Sequence, residues 1–428
     1  MYRSIYELIL SCRARLVYTA GAPGLEVNSA KGSGVHFEAC VNEKAAFEMA
    51  LAGTWTAKRA ACIFSAAGVY EALDPLMSSA YMGVKGGLVI AAVKEGDLDV
   101  TPLGLFSKLP VLVSDGSRDG LSSTLSFAFD LSERYEIPCL VETLPPREPF
   151  ERAEEQEAPA GRSAFVKDPA RWAAIPKFRY ELHKALNEKI DKMADEFENY
   201  PGNVQLLRGK RGLITHHACG EEAPGDDVSV LALASVFPLP QRLVTTFIDR
   251  MEEVRVVEGP YAAIGLQVKQ KERIKGPGSR KGPYAPRSGA SGAREVLFGL
   301  TVVRDELGPA SSLNIAHGMV KSGTEGGILA VTDAQAFLHS GLPAFVNTLY
   351  NGSAYLLLIK TKGGADELER LFGGFGFNRC FRVKTAGEIE DYHGEGKLTV
   401  LLYEGDLLNG KSCAQASEAG VCSLPRRY

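Results

Sequence analysis

Short apolar runs alternate with amphipathic stretches along most of the chain. Ala60 to Ser65, Gly87 to Val93, Pro110 to Val113 and Pro138 to Val141 are nearly unbroken apolar segments, which read as strands. Between them, Glu43 to Lys58 and Ser117 to Tyr135 carry helical periodicity. A strand that is apolar on both faces must be covered on both faces. The first part of the chain is therefore predicted to be a parallel sheet sandwiched by helices.

The second part opens with a helix in which Leu182, Leu186, Ile190, Met193 and Phe197 recur every three or four residues before Pro201. Strands follow at Gly212 to Thr215, Val228 to Leu233 and Val254 to Val257, and the third part repeats the alternation at Ile328 to Val331, Tyr355 to Ile359 and Leu398 to Tyr403. Two stretches punctuate the pattern. Pro145 to Gly161 is rich in proline and glutamate, and Gly276 to Gly292 is rich in Gly, Pro, Ser and Arg; neither can bury much. The expected layout is α/β with three parallel-sheet domains, over 1–145, 164–268 and 293–410. An acidic linker (146–163), a basic linker (269–292) and a tail (411–428) complete it.

Composition agrees with a folded chain. The 428 residues suffice for roughly two to four domains, and 45% hydrophobic with 23% charged residues is ordinary for globular proteins. A net charge of -4 provides no global field for nucleic acid or an anionic membrane. Apolar runs fall far short of the roughly 20 residues of a membrane span. The N-terminal apolar stretch, broken by Glu7 and followed by Arg13 and Arg15, makes a poor signal peptide, so the expected location is cytoplasmic. Eight scattered cysteines without a CxxC argue for reduced thiols and against a zinc or iron-sulfur site on this chain.

Familiar catalytic fingerprints are absent. There is no GxxxxGK[ST], and neither Gly32-Ser33-Gly34 nor Gly373-Gly374-Phe375-Gly376 completes a GxGxxG after a strand. GxSxG, HExxH and EF-hand patterns are also missing. His216 and His217 beside Cys219 suggest metal ligands, but neighbouring strand residues point to opposite faces, so a plain strand end is preferred. Lys269, Lys271, Arg273, Lys275, Arg280, Lys281 and Arg287 form one basic cluster with little aromatic interleaving beyond Tyr284. That composition favours a solvated linker over a docking or anion-binding element.

The most informative stretch runs from Glu38 to Val93. It contains Glu38-Ala39-Cys40-Val41-Asn42-Glu43-Lys44-Ala45-Ala46, Gly53, Ala57-Lys58-Arg59-Ala60, Gly68-Val69, Asp74-Pro75-Leu76-Met77 and Tyr81-Met82-Gly83-Val84-Lys85-Gly86-Gly87-Leu88-Val89-Ile90. By local physics, Asn42 caps a helix whose first turn carries Glu43, where a carboxylate meets free amides and the positive end of the dipole. The stretch also resembles the pyrimidine-binding domain of the alpha-subunit family of indolepyruvate:ferredoxin oxidoreductases, which are thiamine-diphosphate-dependent 2-oxoacid oxidoreductases. Phe165 to Arg171, Ser235 to Pro240 and Val254 to Glu258 resemble the family's second, transketolase C-terminal-like domain. Ile315-Ala316-His317-Gly318 and His339-Ser340-Gly341-Leu342-Pro343, with Val346 to Asn351, resemble its diphosphate-binding domain.

The resemblance implies oxidative decarboxylation of an aryl 2-oxo acid through a thiamine ylid, with thiamine diphosphate as cofactor. Glu43 stands at the position of the glutamate that contacts the aminopyrimidine ring. Asn42 and Gly68 would lie beside the cofactor in the first part, and His317, Gly318, His339 and Ser340 in the third. It further implies a smaller beta-type subunit, a ferredoxin-like electron carrier, and homo- or hetero-oligomers. The departures are specific. With His339 as anchor, Ala334 stands where the family has its metal-binding aspartate, and Thr361 and Lys362 replace its Asp-Asn pair. Asp333 becomes a ligand only through a register shift. Mg2+ requires near-octahedral oxygen donors, so no metal is expected, and Lys360 or Lys362 would neutralise the diphosphate. The substrate loop is altered at Ala20 to Glu26, the Cys-Pro-Gly-Cys motif is missing near Pro286 to Gly292, and the cluster module is reduced to Cys413 and Cys422. These departures open an alternative: a non-catalytic paralogue acting as scaffold or regulatory subunit.

Overall fold

The computed structural model describes residues 1–20, 22, 25, 34–96, 98–146, 149–150, 171, 176–218, 225, 227–259, 261–275, 293–297, 300–305, 309–324, 327–385, 387–392 and 396–404. The linker at 276–292, most of the acidic stretch, Phe165 to Ala170, Cys219, most of the 20–26 loop and the tail with Cys413 and Cys422 lie outside them. The chain divides into two compact units, 1–284 and 285–428.

Unit 1–284 contains two sheets. The first is built from β1 (Leu16–Thr19), β2 (His36–Ala39), β3 (Ala60–Ser65), β4 (Leu88–Val93), β5 (Val111–Ser114), β6 (Cys139–Thr143) and β10 (Ser235–Phe237). Its order is β10-β5-β6-β4-β3-β1-β2. All pairs are parallel except β10 against β5. Every residue of β4 and β6 is buried, as is all of β3 but Ser65, the burial that a helix-covered parallel sheet imposes. The helices are α1 (Tyr2–Ser11), α2 (Glu43–Thr54), α3 (Ala66–Glu71), α4 (Leu73–Met82), α5 (Leu103–Ser107), α6 (Arg118–Tyr135) and α7 (Pro176–Phe197). Phe47, Ile63, Phe64, Leu76, Phe129 and Phe197 are among the fully buried side chains of this core. At the amino edge of β3, Arg59 donates to Glu133 (2.8 and 2.7 Å) and Asp130 (2.8 Å), tying the strand to α6.

The second sheet has the order β12-β11-β8-β9-β7, from β7 (Val204–Leu206), β8 (Arg211–His216), β9 (Val228–Leu233), β11 (Glu253–Val256) and β12 (Ile274–Lys275). Here burial alternates along β8, β9 and β11, because the apolar layer of Val244, Phe247, Ile248 and Met251 supplies a single core. Part of the basic cluster is structured. Lys275 belongs to β12 and pairs with Glu253 (2.8 Å), and Arg273 donates to the carbonyls of Ile248 (3.2 Å) and Met251 (3.0 Å). These cations are consumed as edge anchors of the sheet.

Unit 285–428 contains the third sheet, ordered β13-β14-β15-β16-β18-β17. Its strands are β13 (Ala293–Leu297), β14 (Leu300–Arg304), β15 (Gly327–Asp333), β16 (Leu356–Thr361), β17 (Cys380–Val383) and β18 (Thr399–Glu404). All pairs are parallel except β13 against β14. One face packs Leu357, Ile359, Val400 and Leu402 under Phe337, Phe345 and Phe372; the other packs Leu329, Val331, Leu358 and Leu401 under Val383 and Ile389. The chain is thus α/β with three mostly parallel sheets, as the alternation of apolar runs and helical periods implies. Among the described residues no helix is long and apolar enough to cross a membrane, and the described cysteines Cys12, Cys40, Cys62, Cys139 and Cys380 are unpaired.

Candidate functional site

In open parallel sheets, ligands bind where strands end and helices begin. In unit 1–284 the carboxyl end of β3 turns directly into α3, and β2 leads into α2. Asn42 caps α2: its side-chain oxygen accepts from the Ala45 N–H at 2.8 Å. Such a cap is worth about 1 kcal/mol. Glu43 follows as the first helical residue, and its side chain is nearly closed off from solvent at 5% exposure. Ser65 at the end of β3 caps α3 by accepting from Gly68 N–H at 3.1 Å.

These two caps bring Glu43 and Gly68 face to face. A Cβ placed on Gly68 would lie 2.6 Å from Glu43 Oε1, 2.8 Å from its Cγ and 2.9 Å from its Cδ. Gly68 is thus the wall that leaves space for the carboxyl group. Two neighbours complete the surroundings. Tyr2 donates its hydroxyl to Glu95 at 2.7 Å, and its phenol is pushed above the usual range first by burial, then by Glu95, with the charge of Glu43 adding to it. Neither Tyr2 nor Glu95 was legible as a site residue, since one sits in the first helix and the other two residues past β4.

Unit 285–428 holds the remaining predicted positions. Asp333 ends β15 exposed and turns one oxygen back to accept from Ala336 N–H at 2.9 Å. Lys360 on β16 is its register partner, and Lys362 follows, exposed. Thr332 donates to Asp305 Oδ2 at 2.5 Å, whose Oδ1 accepts from Ser312 N–H at 3.0 Å. Asp305, just past β14, is a further polar residue at this edge that the sequence pattern did not single out. His317 and Gly318 lie on the helix Ser311–Lys321; the imidazole Nδ1 is buried without a partner among the described residues, and Gly318 is exposed. His339 and Ser340 hydrogen-bond to each other within the π turn Phe337–Gly341.

The family resemblance implies Mg2+ at this edge, and the residues can be tested against it. Asp333 is engaged as a cap, Ala334 offers no donor, Thr361 donates to the Tyr403 carbonyl at 3.4 Å, and the nearest side chains along the strand are ammonium groups. Among the described residues no group of three or more His, Cys, Asp or Glu is placed to hold a metal ion. This donor set does not fit an octahedral, oxygen-seeking cation. His216 and His217 part as a strand end requires: His216 is buried, and His217 Nε2 meets the Gly202 carbonyl at 2.9 Å.

No protein-family model matches the chain. Among curated proteins it is similar to indolepyruvate oxidoreductase subunit IorA of Pyrococcus abyssi. The two share 32% identity over 287 residues, which is 59% of this chain and 44% of that one. The same-named subunit of Archaeoglobus fulgidus is 24% identical over 453 residues, covering 83% and 71%. The match thus spans less than half of the Pyrococcus protein's own length. Among solved structures, 2-oxoglutarate:ferredoxin oxidoreductase from Magnetococcus marinus is similar at 14% identity and a TM-score of 0.49, covering 64% of this chain and 61% of that one. The resemblance to alpha subunits of indolepyruvate oxidoreductases is borne out by these relatives.

Proposed function

We propose that the chain is the alpha-type subunit of a 2-oxoacid:ferredoxin oxidoreductase-like complex, acting in the cytoplasm on an aryl 2-oxo acid of the indolepyruvate kind. Its partners in this reading are a smaller beta-type subunit and a ferredoxin-like electron carrier. The observation that carries it is Glu43, held at the carboxyl edge of a parallel sheet and shielded from water against Gly68, in a chain similar to IorA proteins. When bound, thiamine diphosphate would supply the nucleophilic carbon and the electron sink.

The chain's own residues would do the following. The Asn42 cap fixes the first turn of α2, so that Glu43 projects from a rigid element. The Glu43 carboxyl would hold or release a proton at a ring nitrogen of the cofactor, a contact that exclusion of water strengthens. Lys360 and Lys362 would balance diphosphate charge in unit 285–428. Calorimetric titration with thiamine diphosphate, with and without Mg2+, tests the reading. Binding that is insensitive to Mg2+ and weakened at least tenfold in Glu43→Gln is the expected result. Absence of heat and of any thermal shift sinks it.

The misfit of the β15 and β16 edge to Mg2+ favours a second reading, a non-catalytic paralogue that keeps the fold as a scaffold or regulatory subunit. It predicts that Glu43→Ala preserves partner binding and cellular function. Loss of function in a folded variant would reject it.

A further inference from the structure

Where the carboxyl ends of the first and second sheets meet inside unit 1–284, three buried ionisable side chains gather around a fourth, Lys94, whose side chain is 11% exposed. Lys94 follows β4, Asp99 lies in the next loop, Glu142 is on β6, and His216 ends β8. Asp99 and Glu142 have no exposed side-chain surface, and His216 is 2% exposed. Asp99 Oδ1 accepts from Thr101 N–H (2.8 Å) and Thr101 hydroxyl (2.6 Å), and Glu142 Oε2 accepts from Val100 N–H (2.7 Å). Their other oxygens, Asp99 Oδ2 and Glu142 Oε1, have no donor among the described residues if both groups are ionised. Each lies 3.6 Å from the same Lys94 Nζ, too long for a good hydrogen bond.

We propose that Asp99 and Glu142 share one proton, carried on Glu142 and donated to Asp99, and that with Lys94 this pair clasps Asp99, Val100 and Thr101 to β6 and thereby positions Gly68 against Glu43. The charge balance requires it. One ammonium opposes two carboxyls, and full ionisation would leave an uncompensated negative charge with two unsatisfied oxygens in a solvent-shielded interior, a costly arrangement. One proton removes both defects, since the two carboxyl groups are in hydrogen-bonding contact.

The electrostatics run the same way. Burial, then the Asp99 charge, push Glu142 well above the carboxylate range. For Asp99, burial acts upward but is outweighed by the hydrogen bond from Glu142, the charge of Lys94 and the hydrogen bond from the Thr101 hydroxyl, leaving it below its ordinary value. The other groups facing the pair do not supply the missing charge. His216 is held neutral, its value pushed down to about 4 mainly by burial, and neither of its ring nitrogens has a partner among the described residues. Glu258 is engaged by the N–H groups of Ala263 (2.7 Å), Ile264 (2.6 Å) and Gly265 (3.1 Å). Tyr70, its phenol pushed up to about 12 mainly by burial, brings no charge at neutral pH, and His217 bonds the Gly202 carbonyl.

The clasp reaches the candidate site through one bond. Tyr70, two residues past Gly68 on α3, donates its hydroxyl to the Asp99 carbonyl at 2.7 Å. From the second sheet, Gly259 approaches so closely that a Cβ there would lie 2.2 Å from Asp99 Oδ2. Because Glu142 is raised on folding, its contribution is complete below the unfolded value of about 4.3 and is lost progressively as pH rises from there through the raised folded value.

The positioning half rests on the proposed thiamine reading; the proton-sharing half does not. Infrared spectra of the full chain in heavy water at neutral pH should show the carbonyl stretch of a protonated carboxyl. Glu142→Gln, an isosteric variant, should lose it while Glu43→Gln keeps it, and the fall in thermal midpoint as pH rises above about 4.3 should flatten only in Glu142→Gln. No such band in the wild type, or a band that survives Glu142→Gln, overturns the shared proton. Tyr70→Phe should keep the band and weaken thiamine diphosphate roughly threefold to tenfold, the loss of one hydrogen bond. An unchanged affinity in that variant overturns the positioning role. If the wild type binds no thiamine diphosphate, the functional reading falls and the band alone decides the clasp.

Discussion

Replacing Gly68 with alanine tests the geometry of the Glu43 site without touching the carboxylate itself. The three heavy atoms nearest the added methyl are all Glu43 atoms, at 2.6, 2.8 and 2.9 Å, whereas comfortable carbon contacts lie near 3.5 to 4.0 Å. Glu43 must therefore shift by about 1 Å out of a closed site, an overpacking cost of about 1–3 kcal/mol. Alanine in place of glycine within a helix returns at most about 1 kcal/mol. The net effect in the wild type is destabilisation of up to about 2 kcal/mol. In a Glu43→Ala background the obstructing atoms are gone, and the same substitution should stabilise by about 0.5–1 kcal/mol. The coupling between the two sites is then about 1–3 kcal/mol, within the range for side chains in contact. Urea unfolding followed by tryptophan fluorescence measures it, because Trp55 directly follows α2, the helix that carries Glu43. Equal effects of Gly68→Ala in the two backgrounds, or stabilisation in the wild type, would refute the wall.

Acid should loosen the same unit through His216. Its folded value near 4 lies below the unfolded value of about 6.5, so the stability tied to its neutral form is present above pH ~6.5 and lost as pH falls toward 4, by about 3 kcal/mol in all. His216→Asn should flatten that leg of the urea midpoint against pH; an identical slope would contradict it. In the other unit, Phe345 is fully buried, with ring centroids of Phe372, Phe377 and Phe337 at 4.9, 5.2 and 6.0 Å. Phe345→Ala should cost about 3–5 kcal/mol. Hydrogen exchange should then quicken in peptides of 327–361 and not in those of 60–93; uniform protection would count against this core.

What the sequence disclosed followed burial. β3, β4 and β6 stood out because strands covered on both faces must be apolar at every position. β2 did not, being four residues long with His36 and Ala39 exposed; nor did the edge strand β17, whose Arg382 pairs with Asp366 and Glu369 in solvent. Asn42 and Glu43 were readable since a helix cap is a local pattern of adjacent residues. Asp99, Glu142 and His216 were not, because three residues scattered over more than a hundred positions converge only when two sheets pack. The same holds for Asp305, whose partners Thr332 and Ser312 come from separate elements.

The three-residue strand Ser235–Phe237 carries a consequence beyond its size. It leaves the second stretch of the chain to close the free border of the first sheet, pairing antiparallel with β5. The first sheet consequently borrows its rim from sequence that lies beyond the acidic proline-rich segment. A fragment severed inside that segment would lose its selvedge and present unpaired backbone amides and carbonyls to any passing strand. Nicking the connection while leaving both pieces in place should be far better tolerated than removing either piece.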